Sequence, residues 1–232
     1  MKTDLIINAN PKSMFSESIK SIRTNLAFSS VDKKIKKLLT TSPEQGDGKS
    51  FISANLAVAY AQDNKKVLII DCDLRRGRQH EIFGIMNESS GGYSNLILNY
   101  REDIDFSKYI QRTSISNVDL LPSGPVPPNP VELLASKHNK ELLDKISEGY
   151  DIVILDCPPV LGISDTSIMT QYSDANLMVV SSNKTHLDLV DKAKKAFEAA
   201  NSKITGVIVN KADIKGSSYY SYYYNDYYGE KE

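Results

Sequence analysis

LLTTSPEQGDGKSF, residues 38–51, runs from an apolar strand through a turn-rich loop into a segment that opens on Lys49 and Ser50. Strand, glycine-bearing loop and helix start, in that order, make a phosphate cradle. Backbone N–H groups and the positive helix end face the anion, a lysine reaches the β/γ oxygens, and a hydroxyl holds Mg²⁺. On this reading Gln45, Gly46, Asp47, Gly48, Lys49, Ser50 and Phe51 bind nucleotide. The common form of such a loop opens with glycine where this chain has Pro43. Alone, GDGKS also suits an ordinary loop before a helix, so the neighbouring strands have to decide.

Two further strands end in acid. VLIIDCDLR, 67–75, carries Asp71 and Asp73, and IVILDCPP, 152–159, carries Asp156. A single strand-end aspartate is commonly a helix cap or turn residue. Three strand ends that bring phosphate-binding and acidic groups together instead define a nucleotide–Mg²⁺ site, whose carboxylates can hold the metal through its waters and steer a nucleophile.

The rest of the chain follows the same rhythm. Strands are expected at 37–42, 67–71, 118–122, 152–156, 177–181 and 204–210, and helices at 14–29, 49–62, 130–148, 163–171 and 186–201. VLII, IVIL, LMVV and VIV are continuously apolar, as strands covered on both faces must be. The expected fold is one doubly wound α/β domain with a mostly parallel sheet, of the P-loop NTPase kind, over residues 1–213. Residues 214–232 have no aliphatic side chain after Ile214 and read as a flexible tail.

Composition narrows the class. With 41% apolar and 25% charged residues in 232, the chain is ordinary globular material. A net charge of −1 supplies no bulk attraction to nucleic acid or an anionic membrane, and Lys33, Lys34, Lys36 and Lys37 read as a solvated edge. No stretch approaches the ~20 apolar residues of a membrane helix. Nor does the N-terminus carry an apolar core of signal-peptide length. Two cysteines, Cys72 and Cys157, make no disulfide framework, so the expected compartment is the cytoplasm. His80, His138 and His186 show no metal-ligand spacing.

The phosphate loop, the strand ending Asp-x-Asp with a following arginine, the strand ending in Asp156 before Pro158 and Pro159, the stretch SGPVPPNPVELLAS at 123–136 and a tyrosine-rich terminus together resemble the bacterial tyrosine kinases of capsule and exopolysaccharide operons. The likeness spans essentially the whole chain. It implies ATP and Mg²⁺ as cofactors and a partitioning-ATPase-like fold. It implies Ser50, Asp71 and Asp156 as the metal set and Lys49, Asp71 and Asp73 as the catalytic set, with Asp71 the expected base for the tyrosine proton. A carboxylate there meets a real need, because free tyrosine ionises near ~10. Family members often carry proline near the loop's first position, so Pro43 fits.

Asn210-Lys211-Ala212-Asp213 looks like the guanine-reading NKxD motif, which would point to GTP. The resemblance instead puts Asn210 near adenine, and a plain turn residue is the third reading. Tyr219, Tyr220, Tyr222, Tyr223, Tyr224, Tyr227 and Tyr228 form either a sticky low-complexity end or a set of phosphoacceptors. Beside this site, acceptors is the expectation, and the resemblance sends them to a neighbouring subunit. Glu17, Lys20 and Arg23 line one side of the first long helix. That stripe is either a solvated face or, by resemblance, the ring-forming Glu-x-x-Arg-x-x-Arg motif with Lys20 in place of an arginine, which loses the planar fork.

The resemblance implies further partners: a homo-oligomeric ring when unphosphorylated, a separate membrane activator of the polysaccharide chain-length regulator type that recruits the protein to the inner face of the membrane, and a protein-tyrosine phosphatase. Two rivals stand beside the kinase: a partitioning-type ATPase switch and a nucleotide-dependent assembly module without kinase activity. The first would carry a second lysine early in the loop, where this chain has Glu44 and Gln45.

Overall fold

The computed structural model describes residues 5–29, 34–87, 91–182 and 184–213. The seven tail tyrosines, and Lys33, lie outside the described residues. Among the described residues seven strands form one sheet: β1 (Lys37–Thr41), β2 (Val67–Asp71), β3 (Gln111–Arg112), β4 (Val118–Leu121), β5 (Ile152–Asp156), β6 (Ala175–Ser181) and β7 (Gly206–Asn210). Their order is β3-β4-β2-β5-β1-β6-β7. All neighbours run parallel except β3, which pairs antiparallel with β4 at one edge.

The apolar runs feed both faces alternately, which is why they do not alternate with polar residues. Leu38, Ile69, Ile154 and Leu177 pack under α1 (Ile6–Ala9), α2 (Met14–Ser29) and α3 (Lys49–Gln62). Leu39, Leu68, Ile70 and Leu155 turn to the opposite face. There they meet Tyr93 and Leu96 of α5 (Tyr93–Leu98), Leu134 of α6 (Pro130–Leu134) and Leu142 of α7 (Lys137–Glu148). On that face α9 (Leu187–Ala199) covers Met178 of β6 with Ala193 and Phe197. The chain is doubly wound, as expected.

Several elements differ from the sequence expectation. The helix expected over 130–148 breaks into α6 and α7, because Ser136 turns extended and caps the second helix through its hydroxyl to Asn139 N. Asn139 then bonds back to Leu134 O at 2.7 Å and stitches the corner. The helix expected over 163–171 shortens to α8 (Asp165–Met169), with a 3-10 turn at Thr170–Tyr172. Short α4 (Gln79–Phe83), α5 and the two-residue β3 were not expected at all.

The SGPVPPNP stretch is explained by close packing. A Cβ on Gly92 would lie 2.4 Å from the Gly124 backbone, so the loop after β4 and the start of α5 touch glycine to glycine. Asn129 and Pro130 then open α6 with proline in the first turn.

Candidate active site

In strand register Asp71 lies beside Asp156, and Thr40 of β1 lies on Asp156's other side. Three strand ends therefore meet at one place on the carboxyl edge of the sheet, where doubly wound folds hold ligands. The phosphate loop rises from β1 and enters α3. Gly46 and Gly48 take φ of +90° and +101°, values open to glycine and strained for other residues. A loop in that conformation, ending on a helix N-terminus, forms the N–H nest that suits phosphate. The cleft above it encloses about 870 Å³ and is walled by loop residues 43–46 and 48–51, Asp73, Arg75, Arg76, Arg78 and Lys211.

Lys49 points across this floor. Its Nζ lies 3.4 Å from Asp73 and 3.8 Å from Asp156, and 3.2 Å from the Ser50 hydroxyl. Burial alone would push its ammonium down, but the carboxylates of Asp156, Asp73 and Asp71 outweigh that and hold it above its ordinary value. Lys49 is therefore charged and aimed at the place where phosphate oxygens belong.

The three carboxylates are not equivalent. Asp73 lines the cleft. Asp71 and Asp156 are fully buried. Asp71 accepts from Gln79 N at 2.9 Å and Asp73 N at 3.3 Å. Burial first, then the neighbouring Asp156, pushes its carboxyl up to about 8, against the pull of Gln79 N–H and Lys49. Asp156 accepts from Ser53 Oγ at 3.2 Å and Gln79 Nε2 at 2.7 Å. Asp71, the expected base, is thus enclosed, and Asp73 is the carboxylate that opens to the cleft.

The donor chemistry fits a nucleotide with Mg²⁺. Among the described residues no group of three or more Asp, Glu, His or Cys side chains is arranged to cage a metal. Mg²⁺ at such a site characteristically takes one or two protein groups and completes its shell with phosphate oxygens and water. Ser50, with Asp156 behind it, is the set that would hold it.

Two site residues, Gln79 and Arg76, gave no signal in the sequence. Gln79 sits between all three motifs, donating to Asp156, to Ser50 O at 3.0 Å and to Asp71 through its backbone. Arg75 forks onto buried Asp165 at 3.1 and 3.3 Å. Arg76 reaches Gln45 Oε1 at 2.9 Å across the mouth of the cleft. Asn210 meets the phosphate loop: its Nδ2 donates to Asp47 O at 2.8 Å, and its Oδ1 accepts from Lys211 N at 2.9 Å.

The AAA domain family matches residues 36–206. The tyrosine-protein kinase YwqD of Bacillus subtilis is 40% identical over 223 residues, covering 96% of this chain and 92% of its own. Among solved structures, the chimerical protein CapA2B2 superposes with a TM-score of 0.85 at 39% identity, covering 91% of each chain. The kinase domain of the Escherichia coli tyrosine kinase ETK does so with a TM-score of 0.85 at 32% identity, over 92% of this chain and 82% of its own. The chain belongs to the bacterial tyrosine-protein kinases.

In this kinase the Glu17–Lys20–Arg23 stripe is engaged within the chain. Lys20 Nζ pairs with Glu17 at 2.8 Å and donates to Pro11 O at 3.0 Å. Arg23 spans to α3, donating to Ala59 O at 2.7 Å with Asp63 at 3.8 Å. Cys72 and Cys157, each one residue past a strand-end aspartate, are fully buried, and burial followed by the adjoining Cys157 pushes the Cys72 thiol well up. Among the described residues no helix is long and apolar enough to cross a membrane.

Proposed function

We propose that this kinase uses ATP and Mg²⁺ to phosphorylate its own C-terminal tyrosines, Tyr219, Tyr220, Tyr222, Tyr223, Tyr224, Tyr227 and Tyr228, on a neighbouring copy. What carries the proposal is one cleft that gathers a charged Lys49, Ser50 and Asp73, in a tyrosine-kinase chain ending in seven phenols. ATP supplies the phosphoryl group and Mg²⁺ neutralises its charge when both are bound.

The chain's own residues supply the rest. Loop N–H groups from Gly46 to Ser50 hold the phosphates, and Lys49 leaves its carboxylate partners to reach them. That exchange uncovers Asp73, which exposure favours over Asp71 as acceptor of the phenol proton. Asp71 and Asp156, held by Gln79 and Ser53, form the buried floor behind Lys49 and would orient the waters of a bound metal.

The same proposal extends to assembly and place. Unphosphorylated copies form a ring through Glu17, Lys20 and Arg23. A membrane protein of the polysaccharide chain-length regulator type recruits the otherwise cytoplasmic kinase to the inner face of the membrane. A protein-tyrosine phosphatase resets it, and the cycle regulates capsule or exopolysaccharide synthesis. Phosphotyrosine forming on the purified protein with ATP and Mg²⁺ tests the core of this reading; its absence in the presence of the activator segment would overturn it.

A further inference from the structure

The outer side of the phosphate loop is held by side chains that arrive from the far edge of the sheet. Lys184, in the turn after β6, donates to Gln45 O. Lys211, just past β7, donates to Gly46 O at 2.7 Å. Asn210, the last residue of β7, donates to Asp47 O at 2.8 Å. Three successive carbonyls thus have one side-chain donor each. The next layer is also fixed. Thr185 Oγ1 lies 2.9 Å from Asp47 Oδ1, and Glu44 N donates to Asp47 Oδ2 at 3.1 Å.

We propose that Lys184, Asn210 and Lys211 are positioning residues that set the loop's anion-binding geometry. In a planar peptide the carbonyl and the following N–H point in opposite directions. Pinning the carbonyls of Gln45, Gly46 and Asp47 outward turns the N–H groups of Gly46, Asp47 and Gly48 inward, toward the phosphates. An ammonium on a carbonyl is a charge-assisted bond, and it polarises the same peptide so that its N–H donates more strongly. The lysines also add positive charge beside the nest.

Fit is close on this side. A Cβ on Gly46 would come 3.5 Å from Lys184 Nζ, and one on Gly48 would come 2.1 Å from Asn210 Nδ2. Lys211 adopts φ of +56°, a conformation that costs a non-glycine residue and is kept where surrounding contacts enforce it. Its side chain is thereby turned back over the loop. The asparagine and the lysine of the Asn210–Asp213 string both hold the loop's backbone.

This inference rests on the nucleotide reading of the cleft, and its test is arranged to separate the two. Lys184→Met and Lys211→Met are made in the full chain, with ADP–Mg²⁺ binding followed by calorimetry and phosphotyrosine formation by steady-state kinetics. Each substitution removes one charge-assisted bond, so ADP should bind about tenfold more weakly, and KM for ATP should rise more than kcat falls. Lys→Arg at either position should recover most of the loss, and thermal melting should identify any variant that fails to fold. Asn210→Ala removes the third donor and should weaken ADP binding as well. Unchanged ADP affinity in both methionine variants would overturn the inference. If the parent binds ADP yet makes no phosphotyrosine, the kinase reading fails and the ADP measurements still judge the clamp. A parent that binds no ADP overturns both.

Discussion

Gly48→Ala is the sharpest probe of the loop, because the structure prices it at one atom. Gly48 sits at φ of +101°. An L-residue forced near that region costs about 1–2 kcal/mol. The added methyl would also lie 2.1 Å from Asn210 Nδ2, inside any contact real atoms tolerate. Asn210 must therefore leave Asp47 O, forfeiting a hydrogen bond with a net value of about 0.5–1.5 kcal/mol. Without ligand the loop can relax away from the strain; with phosphate bound it cannot, so the cost falls on binding. The expected loss of ADP affinity lies between about tenfold and several-hundredfold. Calorimetry with ADP–Mg²⁺ measures it, and a melting curve checks the fold. Adding Asn210→Ala removes the clashing atoms, so the double variant should lose less than the two single losses multiplied. Affinity within about threefold of the parent, or losses that simply multiply, would refute this account of the loop.

Lys49→Met should abolish phosphotyrosine while circular dichroism stays native, since methionine keeps the volume and loses the charge; undiminished phosphorylation would displace Lys49 from the site. Mixing Lys49→Met, tail intact, with an active chain truncated after Asp213 should phosphorylate the inactive chain, and failure with an active full-length control would mean transfer within one chain. Light scattering should find the unphosphorylated protein heavier than the phosphorylated one, because each phosphotyrosine adds about −1.5 to −2 charges to the tail. Glu17→Ala should also give monomers, and it is a cleaner probe than Arg23→Ala, whose side chain holds Ala59 O inside the subunit; equal masses for all forms would end the ring model. Cys72 and Cys157 are fully buried, so a thiol reagent should label the native protein only after denaturant is added, and rapid native labelling would contradict the packing.

Much of the fold was legible because a parallel sheet leaves a strong trace. Val67–Asp71 and Ile152–Asp156 are apolar up to their final aspartate, which a half-exposed strand would not be. The break between α6 and α7 was harder. The apolar spacing of Leu133, Leu134, Leu142 and Leu143 continues across it, and the signal lies in one hydroxyl, Ser136, three residues before Asn139. The short helices α4 and α5 have too few residues to show a period. They exist because their first backbone groups find partners elsewhere, Gln79 N on Asp71 and Tyr93 N on Pro122 O.

The site divides along the same physical line. Lys49, Ser50, Asp71, Asp73 and Asp156 could be read because each stands at a fixed offset from a strand end, and a strand end is visible in one dimension. Gln79, Lys184 and Lys211 could not, because their meaning lies in contacts across 77, 139 and 165 residues of chain. Asn210 shows what that difference does to a motif. Its four-residue string matches a base reader, yet β7 ends beside β6 at the sheet edge, where its amide meets the carbonyl of Asp47. A parallel sheet sets all its carboxyl ends on one side, so residues distant in sequence arrive at the same loop by topology alone. The chemistry of an amide and a lysine is spelled in the sequence; which backbone group they hold is decided by strand order.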